Sequence, residues 1–156
     1  MTKLFNISLM LALLGLQSCS SEPEKPEPPP TIISVKIAVS PKANPDVDGR
    51  PSPVVVRLYE LKSVGKYVEA DFYGLFEKYD SSLGSDLLGS EQFHLKPGQV
   101  HTVTHEVPHE TRFIAVAVAY RDIDRAVWRD SIMIPAEKTT DLLVFVEDLT
   151  VGIWKK

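Results

Sequence analysis

The chain has 156 residues, a formal net charge of −4 at pH 7, 44% hydrophobic residues and a single cysteine. A mildly acidic chain with no basic block excludes nucleic acid as a natural partner. One cysteine excludes an internal disulfide framework, so packing alone must stabilise whatever folds.

In chain order, the first feature is a leader over residues 1–18. Lys3 supplies a short positive start, and Leu4 to Leu16 form an apolar run. At about 13 residues it suits a signal peptide and falls short of the ~20 that a membrane-spanning helix needs. The run ends in Leu16-Gln17-Ser18-Cys19, which resembles the lipobox of bacterial lipoproteins, with an aliphatic residue three before the cysteine and a small one just before it. The resemblance implies a diacylglycerol on the Cys19 thiol, cleavage after Ser18 and acylation of the new amino terminus. Ser20, where an Asp would signal retention at the inner membrane, implies the outer membrane. No cofactor other than this covalent lipid is expected.

Residues 19–30 are the expected tether. From Ser20 to Pro30 five of eleven residues are proline (Pro23, Pro26, Pro28, Pro29 and Pro30). Such a segment cannot form a helix and has little to bury. It should be a semi-stiff spacer of ~3.1 Å per residue, roughly 30 Å in all.

Residues 31–156 are the expected folded domain. Ile33, Val35, Ile37 and Val39 alternate with Ser34, Lys36 and Ala38, a half-buried strand that Pro41 stops. A polar loop follows from Pro41 to Pro53, stiffened by four prolines. Val54 to Leu61 predicts a second strand, apolar on both faces at its start, with a bulge or change of face near Arg57. Phe72, Leu75, Phe76 and Tyr79 fall at helical spacing behind Asp71, a candidate cap. Leu83, Leu87 and Leu88 predict a further short turn beside that helix. Strands resume at Glu91–Lys96, Pro97-Gly98 predicts a turn, and His101–Val107 predicts a polar edge strand. Arg112–Tyr120 predicts a central strand whose alanine face (Ala115, Ala117, Ala119) lies against something close. Val127–Ile134 and Leu142–Trp154 complete the set, the last either bent at Glu147-Asp148 or divided into two strands. The expected fold is therefore all-β, a two-sheet sandwich with a small helical insert.

Three clusters invite chemistry, and each has a plainer explanation. His101, His105 and His109 recur every four residues, but on a strand four residues span ~13 Å, too far for one zinc. Asn44-Pro45-Asp46-Val47-Asp48-Gly49 resembles the front of a calcium loop, yet Val55 stands where a closing Glu belongs. Asp122 and Asp124 sit in a charged hairpin tip with Arg121 and Arg125. No nucleophile elbow, phosphate loop or zinc-protease pattern occurs. An enzyme is not expected, and no metal site is.

Several stretches together resemble one family. They are Asn44-Pro45-Asp46 through Asp48-Gly49-Arg50-Pro51-Ser52-Pro53 into Val54–Leu61, then Ala70–Phe76, Asp86-Leu87-Leu88, Leu95-Lys96-Pro97-Gly98, and Tyr120-Arg121-Asp122 with Ala126-Val127-Trp128-Arg129. This resembles the outer-membrane lipoprotein of the type VI secretion system, the TssJ (SciN/VasD) family. The resemblance implies a transthyretin-like sandwich, held at the periplasmic face of the outer membrane by its lipid. It implies binding to the periplasmic C-terminal region of the inner-membrane protein TssM, in assembly of the envelope-spanning complex. The loop between the first two strands is the implied contact, which places Asn44, Asp46, Asp48, Gly49, Arg50, Pro51 and Ser52 at the partner. Alone the chain is expected to be monomeric. A different class, a lipid-anchored ligand-binding module or peptidoglycan-acting enzyme on the same kind of sandwich, would instead need a pocket with convergent polar groups.

Overall fold

A computed structural model describes residues 27–156. The leader, Cys19 and most of the tether lie outside the described residues. Glu27–Pro30 are exposed and lack regular structure.

Eight strands form two four-stranded sheets. They are β1 (Thr31–Val39), β2 (Val54–Leu61), β3 (Leu87–Leu95), β4 (Val100–Val107), β5 (Phe113–Ala119), β6 (Arg129–Met133), β7 (Thr139–Val146) and β8 (Val151–Lys155). The first sheet runs β4-β1-β7-β8 and the second β3-β2-β5-β6. Only β1 and β7 are parallel within the sheets; the other neighbours are antiparallel. The period-two pattern of β1 sends Ile33, Val35, Ile37 and Val39 inward, where they meet Val54, Val56 and Leu58 of β2 and Ile114, Val116 and Val118 of β5. Removing such side chains from water contributes about 1.5–3 kcal/mol each.

The outer face of the second sheet is also buried, because the segment between β2 and β3 folds back over it. There the structure departs from the single helix and accessory turn that the spacing predicts. Three short helices occur, α1 (Gly65–Glu69), α2 (Phe72–Phe76) and α3 (Tyr79–Leu83), and Leu87 and Leu88 open β3. Extended backbone at Ala70 separates the first two helices, and Asp71 caps α2 by accepting from Gly74 N at 2.6 Å. Tyr59, Leu61, Ala115 and Ala117 from the sheet and Tyr67, Leu75 and Leu83 from the helices form a second core. Ala115 and Ala117 therefore face large side chains, as their size requires, whereas Ala119 is half-buried and lies outside this core. The Tyr67 hydroxyl donates to Val116 O at 2.7 Å and that of Tyr59 to Leu75 O at 2.6 Å. Burial pushes the Tyr67 phenol well above its usual 10 and that of Tyr59 up to about 12.

Two arginines pin this layer by donating to carbonyls at helix ends, which lack intrahelical partners. Arg129 donates to the carbonyls of Tyr67, Val68 and Ala70 at the end of α1. Arg57 donates to Leu75 O and Phe76 O at the end of α2, and its guanidinium lies 4.4 Å from the Tyr79 ring centre. Arg57 stays within the regular ladder; the register shift falls between Glu60 and Leu61, beyond the position near Arg57 that the sequence suggests. Apolar residues on both faces of β2 reflect burial on both sides, and they need no change of face.

β5 lies between β2 and β6, and β4 is an edge strand, as the sequence predicts. The final apolar stretch is two strands, reversed at Glu147–Thr150, where Glu147 N donates to Thr150 O at 2.8 Å. The Pro97-Gly98 turn forms with Gly98 at φ 79, a conformation that glycine adopts freely. It carries the chain from one sheet to the other.

The topology separates two poles. The β1–β2, β3–β4, β5–β6 and β7–β8 connections gather at one, the loop pole. Thr31, where the chain enters, is at the opposite end of β1, hydrogen-bonded through Ile32 N to Lys138 O at 3.1 Å. The nine residues of β1 separate the poles by roughly 30 Å.

Candidate interaction site

The Pro41–Pro53 loop is built around one carboxylate. Asp46 Oδ1 accepts from Asp48 N and from Arg50 N, both at 2.9 Å. The first of these is an Asx turn. Asp46 Oδ2 takes Arg50 Nε at 2.9 Å, and the same guanidinium reaches Asp48 Oδ2 at 2.9 Å. The backbone closes the ring, with Asp46 N donating to Arg50 O and Gly49 N to Asp46 O. Gly49 has φ 76, so the closure needs its missing side chain. The Arg50 N–H holds the Asp46 carboxyl below its usual 3.8; desolvation opposes this, and the Asp48 N–H and the Arg50 guanidinium reinforce it. Exposed ion pairs add little to stability. Here they set the shape of the loop.

The structure assigns the predicted contact residues different tasks. Asn44 is buried, 2% exposed, and its side chain is spent internally. Its Nδ2 donates to Pro53 O at 2.7 Å and its Oδ1 accepts from Arg121 N at 2.8 Å. Its own N–H donates to Asp148 O at 2.8 Å. Asn44 thus ties three connections of the loop pole together, and it is not a surface that a partner can touch. Asp46 is the loop's internal brace. Ser52 is half-buried and bonds through its N–H to Ala43 O. Asp48, Gly49, Arg50 and Pro51 are exposed. Between the two acids stands Val47, at 102% relative exposure. Sequence reasoning passed over it, although an apolar residue between Asp46 and Asp48, in a loop with no strand period, was the available signal.

The other clusters have structural employment. His105 Nε2 lies 2.6 Å from Glu60 Oε1 and bridges the two sheets, while His101 stacks on Phe93 with ring centres 4.7 Å apart. Asp122 pairs with Arg125 at 2.7 Å inside the β5–β6 loop. In the calcium-like stretch, Arg50 occupies the carboxylates of Asp46 and Asp48. A cleft of about 230 Å³ opens among the helices, lined by Lys66, Glu69, Ala70, Asp71, Gly74 and Ser82. Ligand pockets usually enclose about 300–1,000 Å³. Its polar groups hold the helices: Asp71 caps α2, and Lys66 reaches Leu83 O at 3.2 Å and Asp86 at 3.4 Å. Among the described residues no helix is long and apolar enough to cross a membrane.

With this sandwich and its braced first loop established, the family model for type VI secretion lipoproteins (VasD, EvfM, TssJ) matches residues 31–149. The chain belongs to this family. The T6SS lipoprotein TssJ1 from Pseudomonas aeruginosa is 33% identical, with a TM-score of 0.79 over 82% of this chain and 98% of that one. Lip from Serratia marcescens, a membrane-bound component of the type VI secretion system, is 26% identical, with a TM-score of 0.74 over 81% and 98%. The same fold recurs at 23% identity and a TM-score of 0.64, over 79% and 97%, in a structure described as the T6SS protein TssM C-terminal domain from EAEC. Comparison with curated proteins returned no match. The lipoprotein is thus a component of the type VI secretion envelope apparatus, and its family is a structural one.

Proposed function

We propose that this lipoprotein is a non-enzymatic adaptor of the outer membrane. In this reading Cys19 carries the lipid in the periplasmic leaflet, and residues 19–30 lead to the entry pole. The opposite pole then engages the periplasmic C-terminal region of TssM. One acyl chain binds a membrane only marginally; the three implied for Cys19 hold the domain permanently. With the roughly 30 Å expected of the tether from its composition, the sandwich would carry the loop pole up to roughly 60 Å from the leaflet. The recurrence of the fold in the structure described as the TssM C-terminal domain supports the choice of partner.

The observation that carries the reading is Val47, fully exposed at the tip of a loop locked by its own hydrogen bonds. A rigid loop loses little entropy on binding, and an apolar knob on it can fill a pocket in the partner. Asp48, Gly49, Arg50 and Pro51 rim the knob, while Asp46 and Asn44 hold its shape.

The test uses the full lipidated protein in detergent and the periplasmic C-terminal region of TssM. Val47→Asp should weaken capture at least tenfold with Tm within about 2 °C of the parent, because the side chain touches nothing in the fold. Undiminished capture by that variant would refute the loop assignment. Cys19→Ser should leave the outer-membrane fraction; if it remained there, the anchor assignment would fail.

A further inference from the structure

The two sheets are treated unequally. Helices α1–α3 cover the outer face of the second, while among the described residues no element packs on the outer face of the first. That face carries an apolar row across all four strands. The register places Val100 of β4 beside Ala38 of β1, Ala38 beside Phe145 of β7, and Phe145 beside Gly152 of β8. Leu143 and Trp154 pair in the next row. Val100 and Trp154 are 54% and 52% exposed, and Ala38, Leu143 and Phe145 are half-buried.

The row is constructed around a glycine. A β-carbon at Gly152 would lie 2.6 Å from the Cζ2 atom of the Trp154 indole. Only a residue without a side chain lets the ring lie flat on the strand, extending the row towards Phe145. Single exposed apolar residues are ordinary. A contiguous row spanning four strands, about 14 Å across, marks an interaction surface.

We infer that this row is a second contact surface for the protein bound at the loop pole. Position is the first argument. Ala38 precedes Val39 and Ser40, from which the Pro41–Pro53 loop departs, so the row runs continuously into the loop pole and away from the entry pole. Charge is the second. The exposed charged residues on the outward positions of these strands are Lys36, Glu106 and Asp141, one cation against two acids. An anionic lipid surface would be met by a cationic excess. The row thus suits a protein segment with an apolar stripe, laid across the strands and continuous with what grips Val47.

This inference rests on the adaptor reading, and the experiment separates the two. Full lipidated protein in detergent, as Val100→Lys and as Trp154→Ser, is titrated with the TssM periplasmic region beside Val47→Asp. Tm is measured for each, and Val100→Lys serves as the variant whose fold is least at risk. The expected result is at least a tenfold loss of affinity in both face variants, with monomeric mass unchanged by sedimentation. Parental affinity in both face variants, while Val47→Asp is defective, overturns the second contact and leaves the adaptor reading standing. Failure of the parent protein to bind removes both. Loss of self-association, or of binding to vesicles with anionic headgroups, at parental TssM affinity overturns the choice of occupant.

Discussion

Replacing Asn44 with Ala should unfold the loop pole's organisation at a calculable cost. The change removes a donor to Pro53 O and an acceptor for Arg121 N, and both partners lie in part-buried positions. Leaving each unsatisfied costs about 1–2 kcal/mol. Asn44 also has φ 53, a left-handed conformation that Asn tolerates and Ala resists by about 1 kcal/mol. The sum is about 3–5 kcal/mol. For a domain of this size that is a fall of roughly 10–20 °C in Tm. Urea unfolding followed by far-UV circular dichroism gives the free energy directly. Asn44→Gly serves as the control, because it loses the same two bonds but keeps the backbone freedom, so it should be about 1 kcal/mol less damaging. A loss below about 1 kcal/mol for Asn44→Ala, or an Asn44→Gly variant no better than Ala, would refute the assignment of Asn44 as an internal tie.

Arg129→Met should cost about 2–4 kcal/mol in urea unfolding, because three carbonyls at the end of α1 lose a charged donor; amide exchange should speed up first in residues 65–70. Tyr59, Tyr67 and Tyr120 have phenols raised by burial. The folded state binds these protons more tightly than the unfolded one, so stability is intact below pH 10 and falls as pH rises above it. Absorbance at 295 nm from these three should emerge together with unfolding; their ionisation in a still-folded protein would contradict the burial. The Asp46 carboxyl is lowered instead. Its contribution to loop order is present above 3.8 and is lost as pH falls through the lower folded value. The difference in loop amide exchange between the parent and Asp46→Asn should therefore be large at pH 7 and vanish at sufficiently acid pH.

Local pattern determined much of this protein. The alternation in Ile33–Val39 produces β1, the small residues of β5 announce a close-packed neighbour, Pro97-Gly98 turns the chain, and Asp71 caps a helix. The braced character of the Pro41–Pro53 loop follows from its prolines and Asx residues, and the stretches resembling type VI secretion lipoproteins identify the family. Tertiary structure decided what local pattern cannot encode. Pro97-Gly98 has the sequence of a tight hairpin, yet its flanking strands join different sheets, because each pairs with a partner far along the chain. The spacing of Phe72, Leu75, Phe76 and Tyr79 suits one helix. Instead the stripe is divided between α2 and α3, with a separate α1 before it, and α2 ends where Arg57, from another element, meets its carbonyls. Asn44 and Val47 stand three residues apart in the same polar loop, and although Val47 differs in being apolar, the pattern does not say that Asn44 is the buried one. One is buried because the β5–β6 and β7–β8 connections converge on it, and the other is bare because the loop turns outward. Burial is a property of what the rest of the chain brings near, so it was decided only when the two sheets closed.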